Sequence, residues 1–438
     1  MRLPRLFLLA GSALLPPLAF AQTPGPDADL VGIYKSLHEH PELSHFEEHT
    51  SALVASELRK AGYTVTDHIG KYPDGSGAYG VVAILRNGPG STLLVRADMD
   101  ALPIAEETGV PYASHVVAQD KSGQQVPVMH ACGHDVHTTV LIGTARVMAA
   151  SRDQWHGTLM LVGQPSEETG DGAKAMLADH LYERFGKPDL IIGLHDTNRL
   201  PAGKVAVIPG DAQAGSTAVD VVIHGIGGHG AAPEAGRDPI TLAALYIAQI
   251  QTIVSREEDP QDPAVVTVGS IHGGTKRNII PDEVKLQLTT RYFSAQSRQR
   301  IITGLQQMAA GITASAGLPP EKAATVTVLE DESTPVQHND LALTARERAI
   351  FEKTFGAENV VTLTPLMTSE DVGMFGLDGK IPMGYFRIGA IYPDRFAQAE
   401  AQGKLPPGLH TSKFEPDPEP TITTGVKAMA AVATTLLQ

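Results

Sequence analysis

Cys132 is the only cysteine among 438 residues. An intramolecular disulfide is therefore excluded, and the fold must rest on a sizeable core, which a chain of this length can bury. Cationic residues are also scarce: Lys and Arg number 34 against 49 Asp and Glu, a formal charge of −15 at pH 7. Nucleic-acid binding draws mainly on Lys and Arg neutralising phosphates. The acidic balance thus excludes a nucleic-acid partner and a basic membrane-surface role. No run of like charge forms a tail, and there are neither internal repeats nor a long low-complexity tract. Beyond residue 20 no apolar stretch reaches the roughly 20 residues that a bilayer crossing needs.

The chain does begin with such a stretch in miniature. Arg2 and Arg5 precede an apolar run over 6–20, and Ala19-Phe20-Ala21 places small residues two apart. This is the layout of a secretory signal peptide cleaved after Ala21. A membrane anchor fits less well, because Pro16-Pro17 interrupts a run already too short. An exported protein, off the membrane once residues 1–21 are removed, is the expectation.

With 42% apolar residues and about 150 residues per domain, two or three domains are expected. Residues 29–60 read as helical. Short apolar runs at 80–85, 92–95, 158–162 and 190–194 read as buried strands, with helical spacing through Val140, Thr144, Val147 and Met148 and again over 172–181. Strands alternating with helices predict an α/β fold, a mixed but mostly parallel sheet covered on both faces. The pattern changes near Gly210-Asp211. Strands at 217–224, 265–271, 283–293 and 325–329, with helices marked by Ile240 to Val254 and Ile301 to Ile312, give the order βαββαβ of a ferredoxin-like α+β module. The expected division is a catalytic domain over 22–212 and 332–438, interrupted by an inserted module at 213–331.

Ligands of open α/β sheets gather beyond the carboxyl ends of strands. Three predicted strands end there in polar groups: Asp98-Met99-Asp100, Gln164-Pro165-Ser166-Glu167-Glu168, and Gly193-Leu194-His195. The densest cluster is His130-Ala131-Cys132-Gly133-His134-Asp135-Val136-His137, at the start of a predicted helix. One buried Cys or one surface His is usually structural. Thiolate, imidazole and carboxylate together are the ligand set of a borderline-soft divalent metal, and Zn2+ accepts all three. Adjacent carboxylates suit a divided task, Glu168 on a metal and Glu167 as general base.

On these residues the sequence resembles the two-metal peptidases and deacylases that include aminoacylase and acetylornithine deacetylase. Within that family it is most similar to the amidohydrolase branch of hippurate hydrolases and auxin-conjugate amidohydrolases. The marks, in order, are His38-Glu39-His40-Pro41-Glu42-Leu43, Arg96-Ala97-Asp98-Met99-Asp100-Ala101-Leu102-Pro103, the cluster from His130 to His137, Gln164 to Glu168, Gly193-Leu194-His195, Gly227-Gly228-His229, Asn278-Ile279-Ile280-Pro281-Asp282-Glu283, Ser369-Glu370-Asp371 and His410-Thr411.

The resemblance implies a zinc-exopeptidase-like catalytic domain whose inserted module is a lid and homodimerisation domain. It implies two divalent metal ions held by Cys132, His134, Glu168, His195 and His410, with the Cys132 thiolate between them. Zn2+ is the first choice, with Mn2+, Co2+ and Ni2+ as alternatives. Glu167 matches the general base and proton shuttle, and Asp100 a carboxylate that orients a metal ligand. His229 matches a residue that reaches the partner protomer's site and polarises the scissile carbonyl. Asn278 matches a position that binds the substrate's carboxylate, with Arg291 as a weaker assistant. His38 and His40 are expected only to cap or pack a helix, Asp135 and His137 to support the ligands or the helix start, and Glu370 and Asp371 to shape the surroundings of the metals.

Four departures from the family pattern border the expected cleft: Asp196-Thr197-Asn198, Thr169-Gly170-Asp171, a long segment over 115–127 and another over 391–409. None removes an expected ligand. The resulting expectation is metal-dependent hydrolysis of the amide bond in N-acyl or N-aroyl amino acids, or similar small amides with a free carboxylate. The alternatives are an exported carboxypeptidase or dipeptidase acting on short peptides, and an exported protein that only captures a ligand.

Overall fold

The computed structural model describes residues 28–438; the expected signal peptide and its cleavage point lie outside them. Eight strands form the principal sheet, in the spatial order Thr64–Lys71, Gly77–Asn87, Gly157–Gln164, Thr92–Asp98, Leu190–Pro201, Met383–Ile391, Val205–Val207, Val360–Thr362. Its centre is parallel: Thr92–Asp98 pairs in parallel with both neighbours, and Met383–Ile391 runs parallel to Leu190–Pro201. The Thr64 and Gly77 strands add an antiparallel edge.

Central strands covered on both faces must be apolar on both faces, and the side chains divide by simple alternation. Val81, Ala83, Leu85, Leu93 and Val95 face a layer containing Tyr34, Leu58, Val140, Phe351 and Met429. Val82, Ile84 and Leu94 face the opposite layer, with Met176, Leu181 and Phe375. Leu94 is fully buried, so Leu94→Ala would cost about 2–5 kcal/mol through the cavity it leaves.

Three expectations change. The predicted helix over 29–60 is two helices, Ala28–Glu39 and Glu48–Lys60; Pro41 ends the first because it cannot donate a backbone hydrogen bond. The helix over 172–181 stops at Ala178, and a second begins at Leu181 after His180 in the left-handed region. The strand ending at His195 runs on to Pro201, since Met383–Ile391 continues to pair with it. The two long segments are also structured. Residues 115–127 hold a hairpin of Val117–Gln119 with Gln125–Pro127, and residues 391–409 hold the helix Pro393–Ala401.

Between the two parts of this sheet, four antiparallel strands form a second one, ordered Val265–Gly273, Glu283–Tyr292, Gly215–His224, Thr325–Thr334. Helices Pro239–Thr252 and Ala295–Ser315 pack on it through Tyr246, Ile250, Ile301 and Leu305. Each begins at a side-chain cap: Asp238 accepts from the Ile240 N–H at 2.9 Å, and Ser294 from the Ser297 N–H at 2.9 Å. The expected βαββαβ order is thus present, its last strand reaching Thr334. The two chain crossings lie side by side, Gly210–Gln213 paired with Gln337–Asn339. Lys174, just beyond Glu167-Glu168, fastens the return by donating to the carbonyls of Glu330, Asp331 and Ser333 at 2.8, 2.8 and 2.6 Å.

Candidate metal centre

The carboxyl ends of the central strands converge as expected. The Thr92–Asp98 strand delivers Asp98 and Asp100, the Gly157–Gln164 strand leads into Glu167 and Glu168, and His195 lies two residues beyond the last pairing of its strand with Thr92–Asp98. The cluster at 130–137 meets them where the helix His134–Ala150 begins. Gly133 makes that approach possible. Its φ is +80°, and a Cβ there would lie 2.3 Å from an Asp196 carboxylate oxygen, so any side chain would be strained and would collide.

Cys132 Sγ lies 3.5 Å from His195 Nε2 and 3.3 Å from His410 Nε2. His410 Nε2 is 3.4 Å from Glu168 Oε2, and His134 Nε2 is 3.9 Å from both Glu168 Oε1 and Glu167 Oε2. Ligands bound to one tetrahedral zinc at 2.0–2.3 Å sit about 3.3–3.8 Å apart, so the spacing suits shared cations. Several donor groups lie along the rim, and two of them share Cys132: Cys132 with His134 and His195, and Cys132 with Glu168 and His410. The sulfur belongs to both. His410 comes from residues far along the chain; its backbone N–H donates to the Ala131 carbonyl at 2.8 Å, and its φ is +61°. Ser166, preceding Glu167, is likewise left-handed at +53°. Such strain persists in non-glycine residues only where the surroundings enforce it.

The imidazoles are pre-oriented. The Nδ1–H of His134 donates to the Asp100 carbonyl at 2.9 Å, with an Asp100 carboxylate oxygen at 3.2 Å. The Nδ1–H of His195 donates to the Asp196 carbonyl at 2.8 Å. Each leaves Nε2 free as a ligand, the pattern by which carbonyls and carboxylates fix metal-binding histidines. Asp100 also accepts from the Ser44 hydroxyl at 2.7 Å and the Glu168 N–H at 3.0 Å, tying two expected ligands to one carboxylate. His134 Nε2 and Glu168 Oε1 are buried without a hydrogen-bond partner among the described residues. Orphaned polar atoms aimed at one point call for an ion.

Electrostatics make the same demand. Burial pushes the Cys132 thiol well above its ordinary range, and Glu168, Glu167, Asp196 and Asp98 add to it. Burial also drives Glu167 well above the carboxylate range, reinforced by Glu370, Glu168, Asp371 and Asp100. Burial works against a charge on His134, yet Asp98, Asp100 and Glu168 hold its pKa well above the usual imidazole value. The rim is an excess of buried negative charge, which a divalent cation would neutralise while releasing protons from thiol and imidazole. The donor set therefore fits divalent metal.

Other residues fall differently. His130 does not reach the rim: it is buried with neither ring nitrogen hydrogen-bonded, and burial lowers its pKa to about 4. His137 sits behind the ligands; its Nδ1–H donates to Asp98 at 2.5 Å, and its Nε2 accepts from the Asp196 N–H at 3.0 Å. His38 is a buried tie, 2.7 Å from Asp135 and 3.1 Å from Glu106. His40 accepts no distant partner and donates to the Ser36 carbonyl at 2.9 Å. His229, Asn278 and Arg291 lie on the inserted module, outside the cluster. His229 and Asn278 are exposed and joined through the Gly230 N–H, which donates to the Asn278 carbonyl at 3.0 Å. Arg291 turns into its own sheet, donating to Ser216, to Thr289 at 2.6 Å and to the Thr290 carbonyl at 3.0 Å.

Sequence reading placed Glu370 and Asp371 near the metals but gave no role to the group that joins them to the rim. Arg96, fully buried, donates to Gln164 at 2.8 Å, Glu370 at 2.8 Å, Asp371 at 3.1 Å and Asp98. It balances the acids beneath the metal ligands, Glu370 and Asp371 among them. In the sequence Arg96 stands only as the first residue of one family mark, at an otherwise apolar strand end.

This geometry has counterparts. The family model of peptidases M20/M25/M40 matches residues 94–434. An IAA-amino acid hydrolase ILR1-like 4 of Arabidopsis thaliana is 38% identical over 348 residues, 79% of this chain and 74% of that protein. A hippurate hydrolase of Campylobacter jejuni is 36% identical over 356 residues, 79% of this chain and 86% of that protein. Among solved structures, the YxeP protein of Bacillus subtilis, described as a dinuclear metal binding peptidase of this family, superposes with a TM-score of 0.72 at 27% identity, covering 94% of this chain and 98% of that one. On the family match and these identities, the chain belongs to the M20/M25/M40 peptidases.

Proposed function

We propose that this chain hydrolyses the amide bond of N-acyl or N-aroyl amino acids, and of similar small amides with a free carboxylate, using two divalent metal ions. The observation that carries the reading is the convergence of Cys132, His134, Glu168, His195 and His410 around one sulfur. The hippurate and auxin-conjugate hydrolases among its relatives support the substrate class. Bound divalent cations supply Lewis-acid polarisation of a carbonyl and make water a nucleophile at neutral pH.

Glu167 takes the proton of the attacking water as its oxygen bonds to the amide carbon. When the carbon–nitrogen bond breaks, Glu167 returns that proton to the leaving nitrogen, so water is consumed and an acid and an amine are released. Its carboxylate lies at the rim, 3.9 Å from His134 Nε2 and next to Glu168, where a positioned base can reach a water between the ligands. Asp100 keeps His134 and the Glu168 backbone in place, and His229 polarises the carbonyl. Zn2+ is the favoured ion, given a thiolate among imidazoles.

Residues 213–331 are read as lid and homodimerisation domain. In support, Ile240, Leu245 and Ile271 expose apolar side chains there, and the Val265–Gly273 strand is a sheet edge. Export with cleavage after Ala21 rests on the leader layout alone. The test is turnover of hippurate beside unmodified dipeptides by the metal-loaded protein. Release of glycine and benzoate, faster than dipeptide cleavage, is expected. Dipeptide cleavage alone would make it an exopeptidase, and tight binding without turnover a capture protein.

A further inference from the structure

Two arginines of the central sheet, on the strands either side of Leu190–Pro201, are buried, and only one is balanced. Arg96 has three carboxylates around it. Arg387, in the strand Met383–Ile391, is 2% exposed, and no carboxylate among the described residues lies within ion-pairing distance of it. Its Nη2 donates to Gln213 Oε1 at 2.6 Å, its guanidinium carbon lies 4.7 Å from the Tyr385 ring centre, and its Nη1 has no hydrogen-bond partner among the described residues. A buried guanidinium without an anion costs several kcal/mol.

The position of Arg387 says where that anion comes from. In the parallel pairing of the two strands Arg387 stands opposite His195, so the two side chains leave the same face of the sheet from backbones about 5 Å apart. Tyr385, two residues earlier, shares that face and donates its hydroxyl to Glu370 at 3.1 Å, one of the acids that raise Glu167. Arg387 therefore flanks the rim on the His195 side. Gln213, which accepts from Arg387, donates its own amide N–H to exposed Thr368 at 3.1 Å.

We propose that Arg387 recognises the carboxylate of the substrate's amino-acid part, with the unpaired Nη1 and the Gln213-bonded Nη2 forming the planar fork that carboxylates accept. The proposal deepens the hydrolase reading and rests on it for the identity of the anion. It also gives that role to a catalytic-domain residue, where the sequence pointed to Asn278 and Arg291 on the module.

The experiment titrates the metal-loaded full chain carrying Glu167→Gln with hippurate and with hippuramide, which lacks the charged carboxylate. Hippurate is expected to bind at least 10-fold more tightly. Adding Arg387→Gln should weaken hippurate about 10- to 100-fold, the worth of a hydrogen bond to a charged group, while hippuramide stays within about 2-fold. Arg387→Lys should restore part of the preference, and it serves as the readout if Arg387→Gln does not fold. No preference in the Arg387 protein, or one that survives both substitutions, overturns the proposal. Hydrolysis of hippurate by the unsubstituted chain is scored separately: its absence beside an Arg387-dependent preference would sink the hydrolase reading and leave the carboxylate site standing.

Discussion

The residues assigned to catalysis sit in two regions built in opposite ways. At the sheet rim Cys132, His134 and His195 are buried, their rings are held by Asp100 and Asp196, and Arg96 offsets the acids beneath. On the inserted module His229 and Asn278 are exposed, and the nearest bond to the His229 ring is local, the Ala231 N–H donating to Nδ1 at 3.0 Å. The rim is organised before substrate arrives, and its missing component is positive charge. The module's residues are free to meet a substrate or a second copy and owe nothing to the metals. Damage at the rim should therefore couple activity to metal retention, whereas damage on the module should leave metal and stability alone.

Glu167→Gln gives the largest expected effect, a fall in kcat of about 100-fold or more with both metals retained; steady-state kinetics beside metal analysis checks it. Near-normal turnover would remove Glu167 from the chemistry. His229→Ala should follow, with roughly 100-fold lower kcat, the usual loss for one donor to a developing oxyanion. Its metal content and melting temperature should match the parent; a loss of metal would show that the two regions are not independent. Gly133→Ala probes the rim without touching a ligand. The new Cβ would meet Asp196, which orients His195, and metal affinity should weaken about 10- to 100-fold, as when outer partners of metal ligands are lost; competition with a chelating dye reads it.

The smallest effect concerns pH, away from both regions. Glu347 is buried and its Oε1 has no hydrogen-bond partner among the described residues; burial raises its pKa to about 8. An acid that holds its proton more tightly folded than unfolded, where its pKa is near 4.3, favours the folded state at low pH. That contribution is lost as pH rises through about 8. Glu347→Gln should flatten the decline in melting temperature between pH 5 and 8.5 by a few degrees. An unchanged slope would mean that the carboxyl finds a partner in solution.

The rim was legible in the sequence because its chemistry is concentrated. Strands ending in acids, a Cys/His cluster at a helix start and an ordered set of motifs leave few alternatives, and Asp100, expected to orient a metal ligand, lies beside His134. What escaped were residues whose meaning depends on what faces them. Arg96 and Arg387 both sit in apolar strands, yet one is surrounded by acids and the other has none within ion-pairing distance among the described residues. His130 lies in the same eight-residue cluster as Cys132, but the backbone turns it into the interior. Arg291, implied by the resemblance as a weaker assistant in carboxylate binding, donates within the module's own sheet. Helix ends at residues 40–47 and at Ala178 were set by Pro41 and by a left-handed His180, local events that apolar periodicity does not register.

The most direct test is anomalous X-ray scattering from crystals of the metal-loaded protein. Two ions should appear per chain, with Cys132 Sγ touching both, His134 and His195 on one side and Glu168 and His410 on the other. A single ion, or ions bound away from Cys132, would contradict the account.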